Sequence, residues 1–89
     1  MDLAEIPELR PFMRDDKLVQ IPRNRSKRLL LLDHLAQLFN PGQHYTEVEV
    51  NDALGAVHSD FAALRRYLVD DGFLDRESGQ YWRSGGTVT

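Results

Sequence analysis

The sequence predicts a small α+β domain, mainly helical, on three observations. Two stretches carry apolar residues at three- and four-residue steps, a helix-capping signature opens a further helix between them, and two short strand-like runs joined by a glycine-containing turn follow the last helix. At 89 residues there is room for one core.

Residues 1–17 are acidic and interrupted by Pro7 and Pro11, which predicts a partly ordered N-terminal arm with Leu9, Phe12 and Met13 as an anchor onto the body. Leu18-Val19-Gln20-Ile21 reads as a short extended run, because Pro22 favours an extended residue before it and bars a helix from running through. From about Ser26 the pattern turns helical, with Leu31, Leu32, Leu35, Leu38 and Phe39 on one face. That first helix stops at Asn40-Pro41-Gly42. Leu30 projects away from its core face, where the arm or a second chain can cover it.

Thr46 and Glu49 stand at the spacing of a capping box, so a second helix starts at Glu47 and buries Val50, Ala53, Leu54 and Val57. Its acids Glu47, Glu49 and Asp52 suit the positive end of the helix dipole. A third helix opens after Ser59 as N-cap, runs from Asp60 to Asp71 and ends at Gly72, with Phe61, Leu64 and Leu68 inward and Ala62, Arg66 and Asp70 outward. Residues 73–76 and 80–83 then form a hairpin around Glu77-Ser78-Gly79, and residues 85–89 a flexible tail.

Three helices followed by a hairpin is the order of a winged helix-turn-helix, with the third helix as recognition element and the hairpin as wing. Residues 18–84 would form that unit, with a third strand supplied either near Leu18 or around His44-Tyr45. A helical bundle with a disordered tail is the alternative, which Tyr81 and Trp82 beyond a glycine turn disfavour.

Several segments together resemble a known family: Leu18 to Pro22 with the basic Arg23 to Arg28, Tyr45-Thr46-Glu47-Val48-Glu49-Val50-Asn51, Asp60 with Leu64-Arg65-Arg66-Tyr67-Leu68-Val69-Asp70, and Tyr81-Trp82. The chain resembles bacterial domain-of-unknown-function family 2087, a small domain found alone or attached to winged-helix repressors of the ArsR type. The resemblance implies a winged-helix-like fold and, for fused members, a place in transcription control; it brings no catalytic residue or ligand.

Composition narrows the chemistry. With no cysteine there is no disulfide frame, thiolate metal site or thiol nucleophile, and the start of the chain has no basic and apolar leader, so a cytoplasmic protein without membrane attachment is expected. His34, His44 and His58 form no compact metal-ligand pair, the serines lack a nucleophile-elbow motif, and Gly85-Gly86 opens no helix to cradle a phosphate. Neither a cofactor nor catalysis is expected.

A binding surface is what remains. The formal net charge is −3, yet basic charge gathers in Arg23, Arg25, Lys27 and Arg28 and again in Arg65, Arg66, Arg76 and Arg83, whereas residues 40–60 hold Glu47, Glu49, Asp52 and Asp60 with no Lys or Arg. For DNA or RNA, Arg66 with Arg65 would reach a groove or phosphate while Arg76, Arg83, Arg23, Arg25 and Lys27 hold the backbone. Ala62, Asp60 and Asp70 on the same helix count against base reading. Alternatively Arg65 and Arg66 pair with nearby acids, each exposed pair contributing under about 1 kcal/mol, and Arg76 offsets Asp70-Asp71. The second class is a protein contact or homodimer built on Leu30, Leu9, Phe12, Met13 and the wing aromatics.

Overall fold

The computed structural model describes residues 3–88. Residues 1, 2 and 89, the extremities of the expected arm and tail, lie outside the described residues. The N-terminal segment is built into the body. Pro7 and Pro11 each lack an N–H, so the chain forms two 3-10 helices, Leu3–Glu5 and Pro7–Phe12. A small hairpin follows, β1 (Met13–Arg14) against β2 (Lys17–Leu18), turned by Asp15 and Asp16 at φ 51° and 64°. Leu3, Leu9 and Leu18 are buried in the same cluster as the helix leucines. The expectation of a partly ordered arm is thereby corrected: residues 3–18 supply core, and Leu18 N–H donates to the Val57 carbonyl at 3.0 Å.

Helix α1 runs Arg25–Ala36, opened by the Asn24 side chain, which accepts from the Lys27 amide at 3.0 Å. Leu31, Leu32, Leu35 and Ala36 are buried on it. Beyond Ala36 the chain tightens into i→i−3 bonds from Gln37, Leu38 and Phe39. This tightening turns Phe39 inward and leaves Leu38 at 37% exposure, against the expectation that both lie on one core face. Leu30 is half-buried against the core and does not project into solvent.

After the turn comes β3 (His44–Thr46), then α2 (Glu47–Gly55), which carries the full capping box: Glu49 N–H donates to Thr46 Oγ1 at 3.2 Å and Thr46 N–H to Glu49 Oε1 at 2.9 Å. Helix α3 (Phe61–Asp70) is capped by Asp60, one residue later than Ser59, with its carboxylate accepting from the Ala63 amide at 3.2 Å. Leu64 and Leu68 are buried, but Phe61, at the first position of the helix, stays 37% exposed. Gly72, at φ 81°, ends the helix and turns the chain into β4 (Leu74–Glu77) and β5 (Gln80–Arg83).

These strands and β3 make an antiparallel sheet in the order β3-β5-β4, with Tyr45, Tyr81 and Arg76 in one cross-strand row and His44, Trp82 and Asp75 in the next. The third strand thus comes from His44-Tyr45, while Leu18 pairs with Met13. The β4–β5 turn is two residues long, Ser78-Gly79, both at positive φ, one residue shorter than the sequence reading.

The C-terminal residues return across α1. Thr87 N–H and Oγ1 donate to the Asp33 carboxylate at 2.7 and 3.0 Å, and Gln37 Nε2 donates to the Thr87 carbonyl at 2.7 Å. Residues 84–87 are therefore a docked strap where a flexible tail was expected. The molecule is a small α+β domain with two antiparallel sheets, and among the described residues no helix is long and apolar enough to cross a membrane.

Candidate binding face along the third helix

The first turn of α1 lies against the last turn of α3, and this packing gathers cations that are far apart in sequence. Arg28 sits over the Tyr67 ring at 4.8 Å and donates through Nη1 to the Arg23 carbonyl at 3.1 Å. Arg25 Nη1 is 3.6 Å from Asp71 Oδ1, at the negative end of α3. The expectation that Arg76 offsets Asp70-Asp71 holds in part: Arg25, at the start of α1, pairs with Asp71, while Asp70 attracts Arg76 across a cleft that both line.

On the other side of α3, Arg66 and Arg76 line a cleft of about 210 Å³ together with Arg65, Val69, Asp70 and Tyr81. A neighbouring cleft of about 220 Å³ joins Arg66 to Tyr67, and so to Arg28. Arg23, Arg25, Arg66 and Arg76 are exposed, so an arginine band runs from the hairpin across α3 to the start of α1, interrupted by Asp70. Arg76 lies opposite Tyr81 in the sheet, and hydrogen bonding with the Tyr81 hydroxyl raises its pKa above the ordinary guanidinium value. It is positively charged at any working pH.

Three sequence candidates have other occupations. Arg65 is mostly covered, with Nε 3.7 Å from Glu47 Oε1 and Nη1 donating to Asn51 Oδ1, so α2 neutralises it. Arg83 donates to the backbone carbonyls of Phe39, Gly85 and Thr87 at 3.4, 3.0 and 2.5 Å, which spends its guanidinium on holding the strap. Lys27 Nζ lies 5.9 Å from the Phe12 ring centroid and is half-buried against the N-terminal segment. Arg28 is the member of the band that the sequence did not put forward as a site residue; a tyrosine about two turns into another helix gives no local signal for the stacking that places it.

The apolar candidates are also placed. Leu9 is fully buried, so it offers no contact surface to a partner, and Leu30, Phe12 and Met13 are half-buried against the core. The correction has a simple cause, since folding residues 3–18 onto the body covers their apolar side chains within one chain.

The histidines serve local structure. His34 Nδ1 donates to the Leu30 carbonyl at 3.0 Å, His58 Nδ1 to the Leu18 carbonyl at 2.7 Å, and His44 stacks on Trp82 at 4.9 Å while bonding Gln80 Oε1 at 2.8 Å. No group of three or more His, Asp and Glu among the described residues is arranged to hold a metal ion.

A family model covers residues 17–83, from the start of β2 to the end of β5. The chain belongs to this family, DUF2087, described as an uncharacterized protein conserved in bacteria. Comparison with curated proteins and with solved structures finds no match.

Proposed function

We propose that this chain is a non-catalytic binding domain of the winged-helix type that holds a nucleic-acid backbone along its arginine band, in the service of transcription regulation. The element order α1, β3, α2, α3, β4, β5 and the sheet order β3-β5-β4 support the winged-helix reading, with α3 as recognition helix and β4–β5 as wing. The observation that carries the nucleic-acid reading is the convergence of exposed Arg66 and Arg76 on one cleft, neither of them in an ion pair among the described residues, in line with Arg25 and Arg23. Such a band neutralises phosphates, whereas Asp70 and the small Ala62 beside Arg66 leave little with which to read bases. The binding is therefore electrostatic and weakly sequence-dependent.

The test is a fluorescence anisotropy titration of the chain with labelled random duplex DNA and single-stranded RNA, at low and near-physiological salt. Binding that weakens steeply with salt, and falls at least tenfold in Arg66→Ala/Arg76→Ala, supports the reading. Absence of binding to both probes at low salt overturns it.

A further inference from the structure

We infer that the face formed by α2 and the start of α3 docks a basic protein segment that carries apolar side chains two helical turns apart. This surface is separate from the arginine band, and the inference does not depend on nucleic-acid binding. It stands on the placement of three exposed apolar residues: Val48 at 67%, Val19 at 52% and Phe61 at 37% exposure. Val48 and Gly55 are seven residues apart on α2 and so share a face, about 10 Å apart along the axis. Gly55 has no side chain, and the Phe61 ring lies over it, 3.6 Å from where a Cβ would sit. Phe61 thus provides the apolar group that α2 itself lacks at that level. Just beyond, Val19 and Gly55 border an open cavity of about 350 Å³, whose wall includes Leu18 and Val57.

Charge identifies the occupant. Residues 40–60 carry Glu47, Glu49, Asp52 and Asp60 and no Lys or Arg. Glu49 and Asp60 cap helices and Glu47 holds Arg65, but exposed Asp52, on the α2 turn between Val48 and Gly55, has no ion pair among the described residues. Lys17 is the one Lys or Arg among the residues that line the cavity. A surface of two apolar contacts about two turns apart around an unspent carboxylate matches a basic amphipathic helix, with apolar side chains at i and i+7 and Lys or Arg between them. The same carboxylates repel nucleic acid, which excludes phosphate backbone as the occupant.

The probe is a fluorescein-labelled amphipathic peptide of leucine and lysine, leucines on one face, beside a counterpart in which every lysine is glutamate. Against the full chain, the Leu–Lys peptide binds and the Leu–Glu peptide does not. Val48→Ser/Phe61→Ser and, separately, Asp52→Lys each weaken binding at least tenfold, whereas Glu8→Lys, on the second 3-10 helix, leaves it unchanged. Circular dichroism melts confirm that the variants fold, since all the substituted side chains are exposed. The inference is overturned if the Leu–Lys peptide fails to bind, if both peptides bind alike, or if the variants retain wild-type affinity. Sedimentation that shows a dimer dissolved by Val48→Ser/Phe61→Ser assigns the face to a second copy and overturns the basic-segment occupant.

Discussion

Arg65 and Glu47 face each other at 3.7 Å across the seam between α3 and α2, and the Tyr81 hydroxyl donates to the same carboxylate oxygen at 2.9 Å. One exposed glutamate thereby ties the second helix to the third and to the sheet. Arg65 is only 17% exposed at its side chain, so removing the carboxylate leaves a largely covered cation with Asn51 alone and takes from the Tyr81 hydroxyl its acceptor. Glu47→Ala is expected to destabilise the fold by about 1–2 kcal/mol. Glu47→Gln keeps an acceptor for Tyr81 and costs less. Urea denaturation checks both, as a lowered midpoint at unchanged slope.

Leu9 separates the two views of the N-terminal segment. As part of a loosely attached arm its truncation would be nearly neutral; as a side chain with no exposure, Leu9→Ala opens a cavity and costs about 2–5 kcal/mol. The same urea series measures it, with Phe61→Ser as the exposed control.

The contrast shows what the sequence could reveal. The α2 start was legible because Thr46 and Glu49 act on each other within one turn, and the C-terminal hairpin because Gly79 and the Tyr81-Trp82 pair mark a tight turn and a strand locally. The 3-10 segment was not, since Pro7 and Pro11 announce only the absence of an α-helix, while the burial of Leu9 is decided by where α1 lies. Among the cations, the sequence grouped Arg65 with Arg66 as neighbours. Helical geometry separates them by about 100°, which sends Arg65 to Glu47 and Asn51 and Arg66 to the open cleft. The alternative of arginines paired to acids on α2 thus describes Arg65, and the exposed reading describes Arg66.

Docking of the C-terminal strap requires glycine at position 85, where a Cβ would lie 2.5 Å from the Gly72 carbonyl oxygen. Gly85→Ala is expected to lift the strap from α1 and cost about 1–3 kcal/mol. Amide exchange at Thr87, whose N–H donates to Asp33, should rise to near the rate of an unprotected amide. Unchanged protection would mean that the Asp33 contact holds without the close approach at Gly85.

The arginines also divide by what their loss should do to salt dependence. Each phosphate neutralised on duplex DNA contributes about 0.9 to the slope of log affinity against log salt. Arg66→Ala and Arg76→Ala remove exposed charges from the cleft, so each should flatten the slope by about 1 and leave thermal stability nearly unchanged. Arg83→Ala should do the reverse, because its guanidinium is bonded to the carbonyls of Phe39, Gly85 and Thr87: the melting temperature falls and the slope stays as in the wild type. If Arg83→Ala flattens the slope as much as Arg66→Ala, its charge reaches the phosphates despite those three bonds, and the binding face extends from the arginine band around the sheet to the strap.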